Sequence, residues 1–138
     1  NPNAINLLKN NLDKVDWSML SANPNAINIL ENKIDKIDWF MLSANPNAID
    51  LLKKNLDKID WYILSINPNA IELLEYDKIN WSFLSINSNA IDLLKKNIKY
   101  ENNLTKTEYN KLTVKNKIDW DKLSLNPSIF QDEPMPIL

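Results

Sequence analysis

The chain has 138 residues, with 16 Lys, no Arg, 18 acidic residues and a net charge of −2, so nothing draws it as a whole to nucleic acid or to an anionic membrane. It also contains no Gly, Cys or His. That excludes disulfides, thiol chemistry, Gly-rich phosphate loops and a Ser-His-Asp triad, and it removes the commonest general base and metal ligand.

A repeat organises everything else. Asn-Pro-Asn-Ala-Ile opens at Asn1, Asn23, Asn45 and Asn67, becomes Asn-Ser-Asn-Ala-Ile at Asn87, and ends as Asn-Pro-Ser-Ile-Phe at Asn126. The first four starts are 22 residues apart and the next gap is 20. A fixed period of this size means stacked structural repeats. The predicted fold is all-α, an α-solenoid of stacked 22-residue helical hairpins in one domain over residues 1–138. Its repeats are residues 1–22, 23–44, 45–66, 67–86 and 87–125, with a C-terminal cap at 126–138.

Within a repeat, Asn-Pro reads as a helix start, because Asn caps well and Pro suits the first helical position. In the third repeat, Ala48, Ile49, Leu52 and Leu56 then form one apolar stripe at helical spacing. Apolar residues before each start (Ala22, Ala44, Ile66, Ile86, Leu125) are placed to staple onto Ile27, Ile49, Ile71, Ile91 and Phe130. Without Gly, the turns are expected to use Asn and Asp in left-handed conformations. Asp-Lys-Ile-Asp-Trp opens a second, shorter helix, capped near Asp60. That helix is apolar nearly all round, with Lys58, Tyr62 and Ser65 on its wet side. The series Trp17, Trp39, Trp61, Trp81 and Trp120 is predicted to run as a buried spine, the structural core of the repeats. A leucine-rich repeat has a similar period, but Ser18 and Asn25 occupy places where it requires apolar residues.

The fourth repeat lacks two residues, so its turn shortens and Tyr76 takes the place of Leu56. The fifth carries a 17-residue insertion, Lys99 to Lys115. In it, Thr105 and Glu108 form a candidate capping box for a short helix over 106–115. Lys106, Tyr109 and Lys111 of this insertion are candidate partner contacts, since repeat insertions often map to a binding face. In the last repeat Lys122 stands where the others have Met19, Met41, Ile63 and Phe83, and its neighbour is Asp121, as a polar terminal repeat requires. Pro134 and Pro136 then stop the final helix. The first repeat has no such cap and no initiator Met. Missing upstream repeats and self-association through that uncapped end are therefore expected.

Two outward places vary while the framework does not. One is Asn6, Asn28, Asp50, Glu72 and Asp92; the other is Ser18, Phe40, Tyr62, Ser82 and Asp121. Tolerated drift on a wet surface accounts for such variation. Phe40 and Tyr62, as outward aromatics, point instead to anchors for a protein partner. The paired carboxylates Asp13/Asp16, Asp35/Asp38 and Asp57/Asp60 recur in each regular repeat. A catalytic pair is singular, so these read as caps, not as an acid–base site. No catalytic, cofactor or metal residue is assigned. The rival reading is a single-stranded nucleic-acid binder that stacks bases on repeat aromatics. The absence of Arg and the acids at Asp50, Glu72 and Asp92 oppose it. No run of about 18 apolar residues exists, so no membrane span is expected.

The core Trp-x-x-Leu-Ser-x-Asn-Pro-Asn-Ala-Ile, at residues 17–27, 39–49 and 61–71, resembles a repeat family of nucleocytoplasmic large DNA viruses, the mimivirus-like and iridovirus-like giant viruses. The resemblance covers nearly all of residues 1–130, and the heavy use of Asn, Ile and Lys suits an AT-rich genome. It implies helical repeats and a scaffold or interaction role, with a viral or host protein as partner and the host cytoplasm or virion as location. It implies no catalytic residues and no cofactor. The short fourth repeat and the insertion depart from the family pattern.

Overall fold

The computed structural model describes residues 2–130, with the side chains of residues 5–129. Asn1, Pro134 and Pro136 lie outside the described residues. Every regular element among those described is helical. The α-helices are α1 (Pro2–Lys9), α2 (Trp17–Ala22), α3 (Ile27–Leu30), α4 (Trp39–Ala44), α5 (Ile49–Lys53), α6 (Trp61–Leu64), α7 (Trp81–Leu84), α8 (Ile91–Asn102), α9 (Lys106–Lys111) and α10 (Trp120–Leu125). One-turn 3-10 helices lie between them at Leu12–Lys14, Ile34–Lys36, Leu56–Lys58, Ile71–Leu73, Tyr76–Lys78 and Val114–Asn116, and Pro127–Phe130 ends the described chain. A regular repeat is thus a triplet of first helix, 3-10 turn and second helix, where the sequence predicts a hairpin. Tyr76 does open the 3-10 turn that corresponds to the one opened by Leu56, and both side chains are exposed.

The chain groups into two compact units, Asn1–Asp60 and Trp61–Leu138. The division falls inside the third repeat, between Asp60 and its Trp. In the first unit the buried apolar residues are Leu20, Ala26, Ile29, Leu30, Ile37, Leu42, Ala48, Leu51, Leu52 and Ile59. In the second, Ile79, Trp81, Leu84, Ala90, Leu94, Ile118 and Leu123 form one core cluster. Each fully buried Leu contributes about 1.5–3 kcal/mol by leaving water.

The expected Trp spine does not form. Trp81 is buried at 5 % exposure, but Trp120 is 54 % exposed, and Trp17, Trp39 and Trp61 are half-buried. The Leu three residues later fills the core instead, at Leu20, Leu42, Leu64, Leu84 and Leu123. A Trp that opens a short helix sits at the rim, whereas the residue one turn on points inward.

The Asn-Pro reading needs a second correction. Only α1 and the closing 3-10 turn begin at their Pro, Pro2 and Pro127. In the second to fifth repeats the helix or 3-10 turn starts at Ile27, Ile49, Ile71 or Ile91, and the preceding Ala has no capping side chain. Asn-Pro-Asn-Ala is itself a turn: Asn23 O accepts from Ala26 N–H at 3.0 Å, with the same bond at Asn45, Asn67 and Asn87. Asn at the first and Pro at the second place of a turn are favoured for the same local reasons that favour them at helix starts. Of the residues expected to staple, Ala22, Ile86 and Leu125 are exposed, whereas Ala44 and Ile66 are half-buried; the Phe130 side chain lies outside the described residues. The turns need no left-handed residue: no described non-Gly residue has positive φ.

The second helices start as expected. The Asp16, Asp38 and Asp119 carboxylates accept from the backbone N–H of Met19, Met41 and Lys122 at 3.0–3.1 Å. Asn80 does the same for Phe83 at 3.1 Å.

Candidate functional site

Successive repeats are joined by a recurring polar seam that pattern reading places on the wrong side. The Ser near the end of the second helix is buried, not wet, in the first four repeats: Ser21, Ser43, Ser65 and Ser85 are all fully inaccessible, and only Ser124 is exposed. In the first unit Ser21 Oγ donates to Trp17 O at 2.7 Å and accepts from Asp38 N–H at 3.0 Å, one repeat on. Ser43 repeats this with Trp39 O and Asp60 N–H. In the second unit Ser65 accepts from Asn80 N–H at 2.9 Å and Ser85 from Asp119 N–H at 3.0 Å. Each Ser therefore satisfies an N–H that precedes the next repeat's second helix, a group that helix geometry leaves orphaned.

The first Asn of each motif is the other half of the seam. Its Oδ1 closes its own turn, as from Asn47 N–H to Asn45 at 3.0 Å and from Asn89 N–H to Asn87 at 3.0 Å. Its Nδ2 reaches back to the Ser that closes the repeat before last and, at Asn87 and Asn126, also to the Asn that opens the preceding repeat. Asn45 donates to Ser21 O at 2.9 Å. Asn87 donates to Ser65 O and Asn67 O at 3.0 and 3.1 Å, and Asn126 to Ser85 O and Asn87 O at 3.0 Å. The third-place Asn adds Asn47 to Pro24 O at 3.0 Å and Asn89 to Pro68 O at 2.7 Å. The signal was present: these Ser and Asn recur in every repeat although the local stretch would tolerate other polar residues.

The first variable place is exposed throughout, at Asn6, Asn28, Asp50, Glu72 and Asp92. The second is heterogeneous. Ser18 Oγ donates to Asp38 Oδ2 at 2.7 Å, and that bond, with the Met41 N–H, holds the Asp38 carboxyl below the usual range. Ser82, expected outside, is buried and donates to Asp119 Oδ2 at 3.1 Å. Tyr62 is half exposed and meets the Phe83 ring edge-on at 4.4 Å. Phe40 is 46 % exposed on the first turn of α4, in the first unit. Phe40 and Tyr62 therefore belong to different compact units.

Lys122 also departs from expectation. Instead of making an outer face polar it turns back over the preceding repeat, with its Nζ 2.7 Å from Asp119 Oδ2, 2.8 Å from Ser82 Oγ and 5.2 Å from the Phe83 ring centre. These contacts lower the Asp119 pKa to about 2, with the Lys122 bonds the largest causes. Asp121 is exposed, as expected.

In the insertion, α8 runs on to Asn102, and Thr105 and Glu108 form the expected capping box: Thr105 N–H donates to Glu108 Oε2 at 2.7 Å and Glu108 N–H to Thr105 Oγ1 at 3.2 Å. Lys106 and Lys111 are exposed, whereas Tyr109 is half-buried with Lys117 Nζ 4.4 Å over its ring. The insertion's anchor escaped the sequence reading. Glu101 is buried, and its Oε1 accepts from Ile118 N–H at 2.7 Å and Asn97 Nδ2 at 3.1 Å. Tyr76 donates its hydroxyl to Asn97 Oδ1 at 3.2 Å. Burial raises the Glu101 and Tyr76 pKa values. Leu94, Asn97 and Glu101 share one helical stripe, which is the pattern that marks the residue as inward.

Asp13, Asp35 and Asp57 lie exposed in the 3-10 turns, apart from the capping Asp of their repeats. No group of three or more acidic residues among the described residues could hold a metal. Comparison with known proteins finds no matching family model, no matching curated protein and no matching solved structure. The reading of function therefore rests on the seam and on the exposed faces. No described helix is long and apolar enough to cross a membrane.

Proposed function

We propose that the chain is an α-solenoid of stacked repeats that serves as a non-enzymatic protein-interaction scaffold of a giant virus. Its partner is a viral or host protein, met in the host cytoplasm or the virion. The seam supports the stacked-repeat part of this reading, because each repeat is completed by polar groups of its predecessor. The Trp-x-x-Leu-Ser-x-Asn-Pro motif, by its resemblance, supports the viral setting.

One observation carries the interaction reading. At the second variable place Ser18 and Ser82 are engaged within the scaffold, whereas the aromatic residues Phe40 and Tyr62 remain 46 % and 49 % exposed, Tyr62 with one edge-on contact to Phe83. Exposed aromatics flanked by polar positions are the usual anchors of protein interfaces. Asn28 and Asp50 are the exposed variable residues of the helices on either side of α4 in the chain.

The test is affinity capture from infected cells with the wild-type chain and Phe40→Ala as baits, with and without nuclease. A protein captured in the presence of nuclease and lost with Phe40→Ala supports the scaffold. Capture abolished by nuclease refutes it in favour of single-stranded nucleic acid. Equal capture by both baits removes Phe40 from the interface.

A further inference from the structure

One buried donor in the second unit has no partner. Asn80 is 2 % exposed. Its backbone N–H donates to Ser65 Oγ at 2.9 Å, its backbone O accepts from Leu84 N–H at 2.8 Å, and its Oδ1 accepts from Phe83 N–H at 3.1 Å. Its Nδ2 is the one buried side-chain nitrogen or oxygen among the described residues that makes no hydrogen bond. Buried donors are costly to leave unmade, so native structures satisfy them from the chain, from water or from a ligand.

The repeats show how this donor arises. The same place holds Asp16, Asp38, Asp60 and Asp119 elsewhere in the chain. There the outer oxygen accepts: Asp38 Oδ2 takes the Ser18 hydroxyl and Asp119 Oδ2 the Ser82 hydroxyl. At Asn80 that acceptor has become a donor, and Tyr62 stands in the place of Ser18 and Ser82. Capping does not ask for the change, since Asp16, Asp38 and Asp119 cap their helices as well as Asn80 does.

Asn80 lines a cavity of about 290 Å³ whose walls include Trp61, Tyr62 and Ile79. Asp77, Lys78 and Lys115 line it too, and all three are exposed, so they stand at its mouth and Asn80 at its closed end. Lys78 is already engaged, with its Nζ 2.8 Å from the Glu75 carboxylate and 4.4 Å over the Trp61 ring. Lys115, brought in by the 3-10 turn Val114–Asn116 of the insertion, is the cation left to meet a ligand. Asp77 opposes a second negative charge. Apolar walls with a few oriented polar groups are the usual make-up of a small-molecule site.

We propose that this cavity binds a small aromatic monocarboxylate. One carboxylate oxygen accepts from Asn80 Nδ2 and the other from the Lys115 ammonium. The ring of the ligand lies against Trp61, Tyr62 and Ile79, and the 49 % exposed Tyr62 side chain turns aside to admit it. The site lies in the second unit alone and uses no contact of Phe40, so it and the capture of a protein partner can fail separately.

Titration with benzoate, followed by proton–nitrogen correlation spectra, tests it on wild type, Asn80→Asp and Lys115→Gln. These spectra resolve the Asn80 side-chain amide and the Trp61 indole N–H. Both signals should move along one saturating curve in wild type. Benzamide, the same ring without the charge, should bind more weakly, and inorganic phosphate should move neither signal. Asn80→Asp keeps the oxygen that accepts from Phe83 N–H and restores the residue of the other repeats. It should weaken benzoate binding about tenfold or more, since a hydrogen bond to a charged group is lost. Lys115→Gln changes an exposed residue, so its fold is secure, and should weaken binding about threefold. No movement of the two signals at any benzoate concentration overturns the proposal and leaves water as the acceptor for Nδ2. So does benzamide binding as tightly as benzoate, or benzoate affinity that Lys115→Gln or a folded Asn80→Asp leaves unchanged.

Discussion

Asn87→Asp isolates the backward half of the seam from the turn half. The substitution is isosteric and keeps the oxygen that accepts from Asn89 N–H. It replaces the Nδ2 that donates to Ser65 O and Asn67 O with a carboxylate oxygen about 3 Å from two carbonyls. Two neutral hydrogen bonds are worth about 1 kcal/mol each in net stability. The new charge is also buried without a partner, which brings the expected loss to about 3–5 kcal/mol at neutral pH. Burial and the facing carbonyls raise the new carboxyl's pKa, so the loss shrinks as pH falls and the protonated acid donates again. Asn23→Asp is the internal control. It makes the same chemical change in the same turn, where the Nδ2 is exposed, and should cost no more than about 0.5 kcal/mol in the monomer. Urea unfolding followed by Trp fluorescence at dilute concentration reads both. Equal losses for the two variants would refute the reasoning, because the asparagine would then act within its own turn and not through the preceding repeat.

Further consequences follow from the other buried or capped carboxylates. Glu101→Leu leaves the Ile118 N–H without its acceptor and should cost about 1–3 kcal/mol in urea unfolding. Glu101→Gln keeps an acceptor oxygen and removes the charge. Because burial raises the folded-state pKa of Glu101, its favourable contribution is present below the unfolded value of 4.5 and is lost as pH rises. The Gln variant should therefore gain stability at neutral pH and show a flatter pH profile. Asp119 has the opposite sign: its contribution is present above the unfolded 3.8 and is lost as pH falls toward about 2. Thermal midpoints of wild type and Asp119→Asn should converge across that window. Thr105→Ala removes the α9 cap, worth about 1 kcal/mol. It should speed amide exchange at Glu108 about fivefold without moving the midpoint of the core amides.

Much of the fold is legible because the repeat compares the chain with itself. The period, the Asp caps of the second helices, the Thr105–Glu108 box and the match of Tyr76 to Leu56 all depend on residues near in sequence. The Trp series misleads because volume argues for burial while position decides it. Trp opens a helix of four to six residues, and of the five only Trp81 is buried, whereas Leu20, Leu42, Leu64, Leu84 and Leu123, a turn later, are all carried into the core. Ser82 and Lys122 mislead for a related reason, since a polar residue reads as wet until a partner such as Asp119, 37 positions on from Ser82, is seen to claim it. Phe40 remains where the sequence puts it, on the surface, but no periodicity identifies what meets it.

The asparagine is the instructive failure. Asn-Pro fits a helix start and a turn about equally, and local chemistry does not separate them. The two readings differ in what they ask of the amide. A cap uses its oxygen alone and leaves the nitrogen to solvent, where Ser, Thr or Asp serves as well. The turn seen here uses both ends at once, with Oδ1 inward to its own backbone and Nδ2 back to the two repeats before it. Only Asn joins a short acceptor to a donor at that reach. Asp appears freely at the second-helix caps, where oxygen suffices, and never at the first place of the motif across six occurrences. That contrast, one position admitting Asp and the other refusing it, separates a local cap from a seam between repeats.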